Sequence, residues 1–351
     1  MTSVAADAAP TRAGVVGVER VLPAWEVLGE TARYFFQTPQ WIACLSRHIA
    51  GDVVLGALVD GDQPVAVSIL RRSLQTRWGI RLKVLEGPGR LETFRLFADG
   101  LLARDAGDRC SVDEIMMHLG SWHIMRLSRL RVGSPWLVLA GDRRCVEEEP
   151  GEGVGVLDTA REVDTWWREM PKNMRNSIRK ARGRAQSSGG SEVVVSTGED
   201  VPAAFEQFVL LEASGRKGRQ RTDLSHKPAW RSLLSDYLLA SDTAAVRCLN
   251  IDGRIAASQL SVRVGRTLFL LKIAYDEQVT HLSPGNLLMA NLVEASCGDP
   301  DVDRIDCTVW QTWHQHWGMV REPTFRLTAF NSRSVRGALG GIVWNARRRL
   351  R

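Results

Sequence analysis

The sequence predicts an α/β protein with mixed sheets, built from two halves that share one plan. Three observations carry this. A Pro-started amphipathic helix occurs twice, at Pro39-Gln40-Trp41 with Leu45 and at Pro228-Ala229-Trp230 with Leu234, 189 residues apart. A strand, an Asp-Gly turn and a second strand follow each helix. The chain has 351 residues, enough for two domains of roughly 150 residues.

The elements justify this in order. Pro suits the first helical turn, so residues 39 and 228 each open a helix. VVLGALVDGDQPVAVSIL (53–70) and AAVRCLNIDGRIAASQL (244–260) then read as hairpins around Asp60-Gly61 and Asp252-Gly253. Asp-Gly between alternating apolar runs is a strong hairpin signal. A third strand follows in each half, LKVLEGPG at 82–89 and LKIAY at 271–275, with Lys83 and Lys272 again 189 apart. Four features in one register argue for duplication.

The expected boundaries follow from composition. Residues 1–15 are an Ala-rich disordered tail without the basic start and apolar core of a secretory signal. Residues 16–144 form the first domain. CVEEEPGEGVGV (145–156) is an acidic, Gly-containing linker. Residues 157–330 form the second domain, and 331–351 a basic helix lying on it.

Apolar residues make up 44% and charged residues 25%, which excludes a disordered chain. No apolar run reaches the roughly 20 residues of a membrane span. Six scattered cysteines show no metal-ligand spacing, so reduced thiols, no metal and a cytoplasmic location are expected. The net charge of +6 comes from arginine, since only six lysines are present. That suits anionic ligands such as phosphates.

The second half carries a segment with chemistry. FLLKIAYDEQ (268–277) is a strand, and Ser283-Pro284-Gly285-Asn286 opens a helix, LLMANLVEASC. A strand running into a helix N-terminus is an anion site, because free N–H groups and the helix dipole meet there. KNMRNSIRKARGRA (172–185) places Lys172, Arg175, Arg179 and Arg182 on one helix face. That face either binds a phosphate-bearing substrate or tRNA, or is simply solvated.

AYDEQVTHLSPGNLLMANLVEA, followed by a strand with Asp306, resembles GNAT acyltransferases of the CelD-like and FemAB-like branch. The 172–185 helix and LEASGRKGRQRTDL (211–224) resemble further segments of that branch. The resemblance covers about 35–325 and implies two tandem GNAT-like domains. It implies an acyl-CoA donor whose pyrophosphate meets Ser283, Gly285, Asn286 and Leu287. The donor's pantetheine arm would pair with the strand at Ala274 and Tyr275. An amine acceptor, small molecule or peptide, would lie in the cleft between the halves, near Lys172, Arg175, Arg179, Ser258, Gln259, Lys272 and Trp313. Ser258 and Gln259 read equally as polar residues of a half-exposed strand.

Where the branch usually has a lysine, this chain has His314, in Trp313-His314-Gln315-His316-Trp317-Gly318. An imidazole takes a proton near neutral pH, which makes His314 a candidate base, with Asp306 and Asp276 as further catalytic candidates. Alternatively His314 and His316 flank a Trp-rich core strip, and Asp276 caps a strand end. The expected reaction is amide formation from an acyl thioester and an amine. Two rival readings are an aminoacyl-tRNA-dependent FemAB-like transferase and a non-catalytic GNAT-fold binding protein.

Overall fold

The computed structural model describes residues 18–48, 52–60, 63–77, 79–87, 90–91, 94–95, 101–103, 116, 119–137 and 146–349. The expected tail, 1–15, lies outside them. The chain divides into two compact units, Met1–Gly151 with Thr324–Arg351, and Glu152–Pro323.

In the first unit, helix Pro39–His48 starts on its proline and buries Trp41, Ile42, Cys44 and Leu45. Its sheet runs in the order Asp52–Asp60, Gln63–Arg77, Ile80–Glu86, Ile124–Arg131, Thr324–Phe330, Val146–Pro150. Ile80–Glu86 and Ile124–Arg131 pair in parallel, with Val84 opposite Ile124. The core under this sheet contains Leu70, Leu85, Met125, Trp136 and Leu327.

The second unit repeats the plan. Helix Pro228–Ala240 buries Trp230, Leu233, Leu234, Tyr237 and Leu238. Its sheet runs Ser191–Thr197, Ala245–Ile251, Arg254–Val264, Thr267–Tyr275, Arg304–Asp306, Val154–Asp158, Val320–Glu322. The Asp252-Gly253 turn has φ of 51° and 70°, the left-handed pair a two-residue hairpin needs. Thr267–Tyr275 pairs in parallel with Arg304–Asp306, as the third strand of the first unit does with its neighbour. Helix Pro284–Cys297 is the crossover, and helix Lys172–Ser187 packs against it. The duplication is thus present in topology: both units are mixed sheets with one parallel pair.

The expected boundaries need correction. The boundary between the units falls at Gly151/Glu152, within the expected stretch 145–156, but most of that stretch is strand rather than linker. Val146–Pro150 is the edge of the first sheet, and Val154–Asp158 is an inner strand of the second. Thr324–Phe330, expected in the second domain, pairs with Ile124–Arg131 in the first sheet. Helix Val335–Arg349 contacts the first sheet at Thr324–Phe330 and Ile80–Glu86, with the Trp344 and Phe330 ring centroids 6.0 Å apart and the planes tilted by 51°. Strand order depends on which edges pair across long sequence distances, and no local signal reports that.

Candidate functional site

A cavity of about 670 Å³ lies wholly in the second unit. Its geometry begins with a strand that ends early. Asp306 Oδ1 accepts the Thr308 N–H at 2.8 Å, and Thr308 has φ 58°, a conformation rare for a β-branched residue. The chain then leaves its parallel neighbour. The Cys307 N–H bonds the Gly155 carbonyl at 2.8 Å, and the Gly155 N–H bonds the Val309 carbonyl at 3.0 Å. Pairing with Thr267–Tyr275 stops after Phe269↔Asp306, so the edge beyond Leu270 lies open.

Antiparallel alternation says which groups that edge presents. The Asp276 N–H bonds the Ala256 carbonyl at 2.8 Å, so Asp276 and Ala274 turn their main chain toward the strand Arg254–Val264. Ile273 and Tyr275 therefore point theirs outward along the open edge. At its end, Ser283 is left-handed at φ 54°, ψ 48°, and its carbonyl accepts the Asn286 and Leu287 N–H groups at 3.1 Å each. Pro284 has no N–H, so Gly285 supplies the main-chain donor of the first turn. Ser283 occupies the N-cap position, but its side chain makes no capping bond.

The cavity is lined by Ser258, Gln259, Lys272, Ala274, Tyr275, Ser283, Gly285, Asn286, Trp313 and His314 among the expected residues. Others fall elsewhere. Asp306 is fully buried, shapes the turn just described and is no part of the lining. Asp276 caps the turn after its strand by accepting the Gln278 N–H at 2.8 Å. Leu287 is buried in the core. Lys172, Arg175 and Arg179 are not in the lining. Arg175 donates to the Trp167 carbonyl at 2.9 Å, and Arg179 to Asn176 at 2.8 Å. Arg182, on the same face, pairs with Glu294 at 2.7 Å. Part of the basic face is therefore spent on capping and tying helices.

His314 lines the cavity but does not fit a base near neutral pH. Trp313 and Trp310 pack edge-on to its ring at 4.1 and 5.5 Å, and it is 1% exposed. Burial lowers its pKa to about 4. Its Nδ1 accepts the Gln311 N–H at 3.2 Å, which assigns the proton of the neutral ring to Nε2. Neither nitrogen is then a ready proton acceptor at pH 7. The same burial predicts a pH effect. The unfolded imidazole takes a proton near 6.5 and the folded one only near 4, so the folded state binds fewer protons in between. Stability is fully present above about 6.5 and is lost as pH falls toward 4. Melting temperatures from pH 7 to 4 should fall more steeply in the wild type than in His314→Asn; parallel curves would refute the assignment.

Glu212 and Lys217, which sequence reasoning left without a role, meet the expected Lys272 at one wall. Glu212 on helix Val201–Ser214 is buried, and its Oε1 accepts Lys217 Nζ at 2.8 Å and Lys272 Nζ at 2.9 Å. Its Oε2 accepts the Leu224 N–H at 2.9 Å. Lys217 Nζ also donates to the Ile273 carbonyl on the open edge at 3.1 Å. Burial raises the Glu212 pKa, but Lys272 and Lys217 outweigh it and hold the carboxyl below its ordinary range. Burial pushes the Lys272 ammonium down. The available signals were a lysine inside an apolar strand, LFLLKIAY, and the acid of LEASGRKGRQ. Two more lining residues close off one kind of chemistry and open another. Burial, and then the Asp306 charge, push the Cys307 thiol up, so it stays protonated and is no nucleophile. Gln259 is 3% exposed, with its Nε2 on Met289 Sδ at 3.9 Å and no hydrogen-bond partner at Oε1.

Among the described residues no group of His, Cys, Asp or Glu could hold a metal ion, and no helix is long and apolar enough to cross a membrane. No curated protein matches the chain. Solved structures share its fold at low identity. FemX has a TM-score of 0.61 and 9% identity over 92% of this chain and 98% of that one. The C-terminal domain of a protein described as a lysylphosphatidylglycerol synthetase, from Agrobacterium fabrum, has 0.55 and 11% over 93% and 96%. L-PGS from Bacillus licheniformis has 0.51 and 12% over 86% and 95%. Residues 172–311, which hold the open edge, the helix start and most of the cavity wall, match the acetyltransferase (GNAT) domain family. The second unit carries a GNAT domain over residues 172–311, in a chain whose two-unit fold is shared with FemX.

Proposed function

We propose that the second unit is an N-acyltransferase that moves an acyl group from acyl-CoA to an amine. One observation carries the reading: a single cavity joins the open edge at Ile273 and Tyr275 to the start of helix Pro284–Cys297. An extended donor arm finds main-chain partners along the edge. Its pyrophosphate meets the Gly285 N–H and the positive end of the helix. Arg216, exposed at the rim, adds a cation.

The reaction is a direct displacement. The amine nitrogen attacks the thioester carbonyl, the C–N bond forms, the C–S bond breaks, and the proton shed by the amine ends on the departing thiolate, giving an amide and free thiol. The protonated Cys307 argues against an acyl-enzyme. Gln259 Oε1 is a buried acceptor suited to one N–H of the incoming amine, which orients its lone pair. The reading places the chain in the cytoplasm, where such a donor is available.

The protein incubated with acetyl-CoA and a panel of amines should release free thiol only when amine is present, with one amide formed per thiol. Amide formation from aminoacyl-tRNA, with none from acyl-CoA, would overturn it in favour of a tRNA-dependent transferase.

A further inference from the structure

The Glu212–Lys217–Lys272 cluster has more positive than negative charge. One carboxylate faces two ammoniums on a single oxygen, and its other oxygen is committed to the Leu224 N–H. Lys227 and the Asp223 carboxylate, one residue before Leu224, are both buried nearby and add one charge of each sign. Among the described residues one other acid lines the cavity, Glu277, and it is taken by the Arg219 guanidinium and the Arg216 N–H. The surrounding wall includes Leu211, Leu270, Leu288, Met289 and Val309. Surplus positive charge against apolar walls is costly unless an anion offsets it.

We propose that the Lys217–Lys272 pair reads a carboxylate on the substrate, so that the enzyme selects an acceptor or an acyl chain that carries a free carboxylate. This rests on the acyl-CoA reading of the same cavity. The two lysines divide the work. Lys272 has a side chain 11% exposed and is fixed by Glu212 from within the strand. Lys217 is 39% exposed and divides its donors between Glu212 and the Ile273 carbonyl. A donor arm that pairs with the open edge takes the Ile273 carbonyl and releases one Lys217 N–H. An ammonium has three donors and two are committed here, so release of the Ile273 bond lets Lys217 turn two donors toward a second carboxylate beside Glu212. The site therefore becomes an anion reader as the donor arrives.

Calorimetric titration tests this with two matched pairs. Succinyl-CoA against butyryl-CoA places the carboxylate on the acyl chain. β-Alanine against β-alaninamide, titrated into CoA-loaded protein, places it on the acceptor. In one pair the carboxylate should bind about tenfold tighter or more, as expected for a charge-assisted hydrogen bond, and that pair identifies the source. Lys272→Met should reduce the preference while CoA itself binds as before. Lys217→Met should reduce it too, with CoA bound as well or better because the Ile273 carbonyl is then free for the donor arm, and Lys217→Arg should retain the preference. No preference in either pair, with CoA still bound, overturns the proposal alone. A preference that survives in both Met variants also overturns it. Failure of CoA to bind overturns the donor reading instead, and the β-alanine pair titrated into the free protein then decides the carboxylate site.

Discussion

Glu212→Leu is expected to destabilise the second unit by about 3–5 kcal/mol, the cost of removing one partner of a buried ion pair. Two ammoniums lose their shared oxygen, and the buried Leu224 N–H loses its acceptor. Lys217 can turn to solvent, but Lys272 cannot, so most of the loss comes from Lys272. Glu212→Gln keeps an acceptor for Leu224 and should cost less. Lys272→Met combined with Glu212→Leu should recover much of the loss, because an apolar pair replaces a stranded charge. Urea unfolding checks the order: Glu212→Leu lowest, the double variant above it. A wild-type midpoint for Glu212→Leu would show that the cluster carries no buried charge.

Gly285→Val is expected to weaken CoA binding by roughly 100-fold while the protein stays folded. A Cβ at Gly285 would sit 3.5 Å from the Tyr275 ring, an ordinary contact, so the fold accepts a side chain there. The γ-methyls enter the space beside the Gly285 N–H. Displacing the pyrophosphate from that donor and from the helix end removes one or two charge-assisted hydrogen bonds, each about 1.5–3 kcal/mol. Unchanged affinity would move the phosphates elsewhere.

Much of the second unit was legible in the sequence because its signals are local. The helix starts at Pro228 and Pro284 and the Asp252-Gly253 turn each depend on a few adjacent residues. The cavity wall at Tyr275, Ser283, Gly285 and Asn286 was legible for the same reason. What was not legible depends on distance or burial. Asp306 reads as a carboxylate near a strand end, and only the fold shows it bonding Thr308 to bend the chain away and open the edge. His314 reads as a neutral-pH base until Trp310 and Trp313 enclose it. Arg175 reads as part of a basic face until the end of a neighbouring helix claims it. The Glu212–Lys217–Lys272 wall joins a helix to a strand about sixty residues away, and Thr324–Phe330 inserts between Ile124–Arg131 and Val146–Pro150, more than 170 residues earlier in the chain.

Hydrogen exchange with and without CoA tests the central claim most directly. If the donor lies along the open edge with its phosphates at the helix start, CoA should slow exchange at Ile273, Tyr275 and Gly285, the amides with outward-facing N–H groups, in the wild type. Exchange in the strand Ser191–Thr197 should be unchanged. In Gly285→Val at the same CoA concentration the protection should vanish. CoA binding that protects helix Lys172–Ser187 and leaves Ile273, Tyr275 and Gly285 exchanging as in the free protein would contradict the account.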